Sequence, residues 1–120
     1  MFSIILHITS FQDWTQATVN GVYHSPTLES EGFIHCSTPA QVINVANALY
    51  HAQRGLMLLC IDSTQVQPEI RYEGIEGKEQ YPHIYGPLNL DAVVDAVSFE
   101  PGEGGSFSLP KRVTALIKKV

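Results

Sequence analysis

The sequence predicts an α+β fold in which strands outnumber helices, and three observations carry that reading. Short apolar runs recur at Ser3 to Thr9, Leu56 to Asp62 and Ala92 to Phe99. Only one stretch, starting at Thr38, has a strong helical signature. The chain has 120 residues, 44% hydrophobic and 16% charged, which suits one ordinary globular domain over 1–120.

Taken in order, Ser3 to Thr9 is a short β-rich strand, and the opening MFSIILHITSF belongs to it as buried strand. Asp13 to Val19 forms a short helix carrying Trp14, stopped by Asn20–Gly21. Tyr23 to Glu31 contains Ser25–Pro26 and reads as a loop, and Gly32 to Ser37 as a second strand. Thr38 then stands as an N-cap, with Pro39 at N1 and Gln41 at N3 in a capping-box arrangement. Val42, Val45, Ala46 and Leu49 follow at helical spacing and give one apolar face, and Gly55 ends the element. LMLLCID, Leu56 to Asp62, is a continuous apolar run, the mark of a central strand buried on both faces. Glu69 to Glu73 is a short strand, and 75–80 is a polar surface loop. YPHIYGPLNL holds two prolines and a glycine, which predicts an irregular segment and a turn. Ala92 to Phe99 alternates as a strand, EPGEGGS is a turn or loop, and LPKRVTALIKKV is a last helix or strand.

The net charge of −5 argues against general nucleic-acid binding, since four of the seven Lys/Arg lie in the last ten residues. No apolar run approaches the ~18 residues of a membrane span, and the N-terminus lacks the basic region and cleavage site of a secretory signal. The two cysteines, Cys36 and Cys60, lie in apolar runs without clustered spacing. Reduced thiols in a cytoplasmic protein are the expectation.

Five histidines are present. His24 and His51 fall in a loop and at a helix end, where exposure is expected. His7, His35 and His83 sit in apolar settings. Strand side chains alternate between faces, so Ile5, His7 and Thr9 share one face of the first strand, and Phe33, His35 and Ser37 one face of the second. If those faces meet, His7, Thr9, His35 and Ser37 line one concave site. The same alternation sends Cys36 to the core with Ile34, away from its neighbour His35, and so against a Cys–His catalytic pair. His83 is either a structural ring bonded to backbone or part of the site. Arg71 and Glu73, two apart on a strand, are either a solvated ion pair or site groups.

The blocks ILHIT, Trp14, EGFIHCST, LMLLCID, IRYEG and YPHIYGPLNLDAVV, in this order from Ile4 to about Val97, resemble the bacterial domain of unknown function 952 family. That family resembles in turn the ADP-ribosyltransferase fold, with NAD-using RNA 2′-phosphotransferases among its relatives. The resemblance implies a split, strongly bent, mixed β-sheet with one or two helices and NAD in the cleft between its halves. By position it implies that His7 bonds the adenosine-side ribose and that His35 packs near the nicotinamide. Glu73 or His83 completes the catalytic set of His35, Glu73 and His83, and Arg71 contacts a phosphate. Thr9 and Ser37 join His7, His35 and Arg71 as cofactor-binding residues. Arg71 is the only arginine inside the matched blocks, which argues against RNA phosphate transfer.

Three functions follow. The first is an NAD- or nucleotide-binding transferase that loosens the nicotinamide–ribose bond. The second is a binding module for a nucleotide or peptide without turnover. The third is a three-histidine metal site of His7, His35 and His83, although no metal is expected and no short ligand spacing supports one. The expected partner is a small-molecule nucleotide, with no membrane association.

Overall fold

The computed structural model describes residues 3–119, so Met1, Phe2 and Val120, at the ends of the first and last predicted elements, lie outside it. The described residues form eight strands and four α-helices, three of the helices between the first four strands and the last after β8. Three strands, β1 (Ile4–Ser10), β4 (Leu56–Asp62) and β8 (Val93–Phe99), form the first sheet with β4 in the centre. A second sheet has the order β3 (Ile34–His35), β6 (Tyr81–Tyr85), β5 (Glu69–Glu73). A third is the two-stranded pair β2 (Val22–Tyr23) and β7 (Leu88–Asn89). Every ladder among the described residues is antiparallel, where a mixed sheet was expected.

The central place of β4 explains its unbroken apolar run. Leu56, Leu58 and Cys60 face a core shared with Ile4, Leu6 and Ile8 of β1 and with Val42 and Ala46 of α3 (Val42–Leu49). Val113 of α4 (Lys111–Lys118) closes the same core, beside the stacked rings of Phe99 and Phe107, 4.7 Å apart. On the other face Leu59 and Ile61 join Ile5, Tyr23, Ile34, Cys36, Ile84 and Leu88. Ala17 of α1 (Phe11–Asn20) packs there too. Burial on both faces gives β4 no solvent side on which to place a polar residue.

The two larger sheets meet at one point. Leu6 and Ser37 exchange backbone hydrogen bonds of 2.8 Å each way, an isolated bridge between the free edge of β1 and the end of β3. The sheet surface is therefore split, joined at this bridge and open beside it.

Local chemistry explains where the fold departs from the sequence reading. The segment after Tyr23 is not all loop, because Pro26–Glu31 forms a helix, α2. Ser25 caps it, its hydroxyl accepting from the Leu28 amide at 3.2 Å, Pro26 occupies the first turn, and Gly32 ends it at φ 90°. At six residues it carries start and stop signals but too little apolar periodicity. The strand predicted over Gly32 to Ser37 shrinks to Ile34–His35, since Gly32 belongs to the helix end.

Thr38 is not the cap of α3. Residues 38–41 form a turn, and the helix begins at Val42 after Gln41, which makes no side-chain cap bond. Half of the expected capping box survives, with Gln41 Oε1 accepting from the Thr38 amide at 3.0 Å. Leu49 leaves the predicted apolar face and is 72% exposed.

The Pro/Gly segment holds a regular strand, β6, in the middle of the second sheet. Pro82 is accommodated because its missing donor faces β3. Its carbonyl accepts from the Cys36 amide at 3.0 Å, and the reciprocal bond cannot form, so the ladder ends at the His35–His83 pair. The helix count of four exceeds the one or two expected.

Candidate functional site

A cleft of about 960 Å³ opens beside the Leu6–Ser37 bridge. Its polar lining includes His7, Thr9, His35, Ser37, Glu73 and His83, and its apolar lining includes Val45, Ala48, Leu49 and Tyr50 of α3 and the residue after it. The faces predicted from strand alternation therefore do meet. Arg71 is the exception among the predicted site residues, because it does not line the cleft. Its guanidinium bonds Glu69 at 3.0 Å and lies 4.3 Å over the Tyr85 ring.

His7 and His35 meet in an unexpected way. The partner of His7 is the backbone of His35, not its ring, with Nδ1 2.5 Å from the His35 carbonyl. A carbonyl only accepts, so Nδ1 carries the proton. Nε2 lies 2.6 Å from the Tyr23 hydroxyl, which is 2.9 Å from Thr9 Oγ1. Burial holds the His7 pKa down from 6.5 to about 4, so the ring is neutral at pH 7. A neutral ring protonated at Nδ1 must accept at Nε2. Tyr23 thus offers its hydroxyl proton to His7, with Thr9 Oγ1 as the neighbouring hydrogen-bond partner of the same hydroxyl. The chain fixes one histidine tautomer at the point where the sheets part. Burial raises the Tyr23 hydroxyl pKa, which keeps it a donor.

This arrangement corrects two expectations. The His7 ring has both nitrogens taken by protein groups, so it braces the cleft and offers no free contact to a ribose. For the same reason the three-histidine metal site is not assembled, and no group of three or more His, Cys, Asp or Glu residues among the described residues is placed to hold a metal ion.

The His35 imidazole points outward, half exposed, with Nε2 3.3 Å from Glu31. Cys36 is buried with Ile34 as expected, and burial pushes its thiol pKa up, away from the thiolate. Both cysteines are free thiols. Ser37 is buried, yet its hydroxyl has no protein partner among the described residues and stays open to the cleft.

Glu73 and His83 are partners. Neighbouring positions on β5 and β6 put both on one sheet face, where Glu73 Oε1 accepts from His83 Nδ1 at 3.0 Å and from the Tyr85 hydroxyl at 2.5 Å. The Tyr85 bond first, then the His83 bond, holds the Glu73 carboxyl below its usual pKa, so it is ionised at pH 7. The His83 ring stacks on Phe33 at 4.1 Å and meets the edge of His35 at 5.1 Å.

Sequence reasoning missed Tyr23, Tyr85, Phe33 and the α3 wall. Tyr23 carried no signal, since its strand has two residues. Phe33 and Tyr85 were legible in principle. Each shares strand parity with a singled-out histidine, Phe33 with His35 and Tyr85 with His83.

The geometry can be set against known proteins. A family model described as Protein of unknown function (DUF952) matches residues 8–96. The chain belongs to this DUF952 family. No curated protein matches it. Among solved structures, the crystal structure of protein CC0527 from Caulobacter crescentus is similar, with a TM-score of 0.84 and 25% identity over 93% of this chain and 99% of that one. The solution NMR structure of CC0527 is similar at a TM-score of 0.77 and 26% identity, covering 88% of this chain and 92% of that one. The family match takes in Ile8 to Ala96, and so all the cleft residues named above except His7. No helix among the described residues is long and apolar enough to cross a membrane.

Proposed function

We propose that this DUF952 protein binds NAD or a related nucleotide in the cleft between its sheet halves and acts on it as an ADP-ribosyltransferase-like enzyme. The observation that carries the reading is the meeting of His35, Ser37, Glu73 and His83 in a single cleft of about 960 Å³. That volume lies near the top of the roughly 300–1,000 Å³ range of small-molecule sites. A lining that combines apolar side chains with hydrogen-bonding groups suits a ligand with flat rings joined by polar sugar and phosphate. The split between the sheets is where the resemblance to the ADP-ribosyltransferase fold puts NAD.

Within this reading His35, edge-on to His83 and half exposed, packs against the nicotinamide ring. Ser37 supplies a free hydroxyl to the ribose, in place of His7. His7 acts at one remove by fixing the backbone of His35. Glu73 sets its negative charge beside the ribose carbon on which positive charge develops as the nicotinamide bond loosens. Arg71 takes no part unless it leaves Glu69.

Calorimetric titration with NAD and ADP-ribose tests the reading. Binding of either with sub-millimolar affinity, weakened at least tenfold in Ser37→Val and His35→Ala, is the expected result. No heat at millimolar ligand, or equal affinity in both variants, refutes it. Binding without release of nicotinamide over a day assigns the cleft to a binding module instead.

A further inference from the structure

The Glu73–His83 contact does more than join two strands. Ionised Glu73 is acceptor-only, so His83 Nδ1 must donate to it, and a His83 ring bearing that single proton has its lone pair on Nε2. That nitrogen has no protein partner, and no buried side-chain nitrogen or oxygen among the described residues lacks one, so Nε2 is open to the cleft that His83 lines. Packing holds the ring in place. Phe33 lies flat against it at 4.1 Å and 17°, His35 closes one edge, and the side chain is only 12% exposed. Tyr85 bonds the same Glu73 oxygen and holds the carboxylate in place. An imidazole with one nitrogen bound to a carboxylate, its plane locked by packing and the other nitrogen free in a cleft, is the arrangement of an oriented base.

We propose that His83 is a general base of the cleft, with Glu73 its positioning residue, and that Nε2 takes the proton of a water or ligand hydroxyl. The O–H bond breaks, its electron pair stays on oxygen, and the proton moves to Nε2. The imidazolium so formed is balanced by Glu73. The oxygen then bonds an electrophilic centre of the ligand, and the departing group leaves with the electron pair of the bond it loses. The proton returns from Nε2 to whichever atom of the products needs it. Ser37 is not the atom deprotonated. Past His35 the chain leaves β6 and Ser37 bridges Leu6 of β1 instead, with no hydrogen bond from its hydroxyl to His83 among the described residues. This inference rests on the cleft being a ligand site, and its class of reaction is hydrolysis or transfer to a hydroxyl.

The test combines nitrogen-15 NMR of the imidazoles with turnover. His83 is expected as the Nδ1–H tautomer, and Glu73→Ala is expected to move it to the Nε2–H form. With NAD as probe, His83→Ala should lower nicotinamide release at least a hundredfold, within the range for losing a general base, while affinity changes less than tenfold. An Nε2–H tautomer in the wild type, a tautomer indifferent to Glu73, or wild-type protein that binds NAD without releasing nicotinamide overturns the proposal. If NAD does not bind, the nucleotide reading alone has failed. The base is then decided by acylation with diethyl pyrocarbonate: rapid, Glu73-dependent modification of Nε2 upholds it, and an unreactive His83 overturns it.

Discussion

Acid should weaken this protein through the buried ring of His7. In the folded state its pKa is depressed from 6.5 to about 4 by burial, outweighing the help of the His35 carbonyl. In the unfolded chain it titrates near its ordinary value. As pH falls below about 6.5 the unfolded state takes up a proton that the folded state refuses, so stability is fully present above that pH and declines toward pH 4. At about 1.4 kcal/mol per pH unit, the loss attributable to His7 reaches about 3 kcal/mol. That is a large share of the roughly 5–15 kcal/mol of a typical domain. The perturbation is His7→Gln, whose amide can donate to the His35 carbonyl and accept from Tyr23 without titrating. Urea unfolding of both proteins at steps from about pH 7 to about pH 4.5 isolates the term, because every other titrating group is common to the two. The wild type should lose about 2–3 kcal/mol more than the variant over that range. Parallel curves, or a His7 ring that titrates near 6.5 by NMR, would refute the reasoning.

Tyr23→Phe leaves His7 Nε2 and Thr9 without their partner in a buried setting, and should cost about 1–3 kcal/mol in urea unfolding. Leu49→Asp, at a position 72% exposed on the cleft wall, should change stability by no more than about 0.5 kcal/mol but weaken NAD or ADP-ribose binding at least tenfold by calorimetry. Ile34→Ala empties a fully buried position between the sheets and should cost about 2–5 kcal/mol in the same unfolding assay. Cys36 and Cys60 should resist an aromatic disulfide reagent until denaturant is added, since burial lifts both thiols, Cys60 to about 12.

The first sheet was legible because its strands obey simple periodicity. β1 alternates between two cores, and β4 is apolar throughout because it lies between β1 and β8. Strand parity was also enough to bring His7, Thr9, His35 and Ser37 to one cleft. It failed where the deciding atom was not a side chain or where one bond was shared across the fold. Parity cannot say that His7 would meet the carbonyl of His35 rather than its ring. Pro82 hid β6, because the reading could not know that its missing donor would face the end of a two-residue partner strand. Leu49 fitted the apolar stripe of α3, yet that stripe serves two surfaces, with Val42 and Ala46 in the core and Leu49 on the cleft. Glu73 and His83 were read as alternatives when cross-strand geometry makes them partners.

The most direct measurement is an NMR titration of the labelled protein with ADP-ribose, following amide and imidazole signals. The account predicts saturable shifts confined to His35, Ser37, Glu73, His83 and the Val45–Tyr50 wall, with the His7 ring keeping its tautomer. Unchanged spectra at millimolar ligand, or shifts that fall away from the cleft, would contradict it.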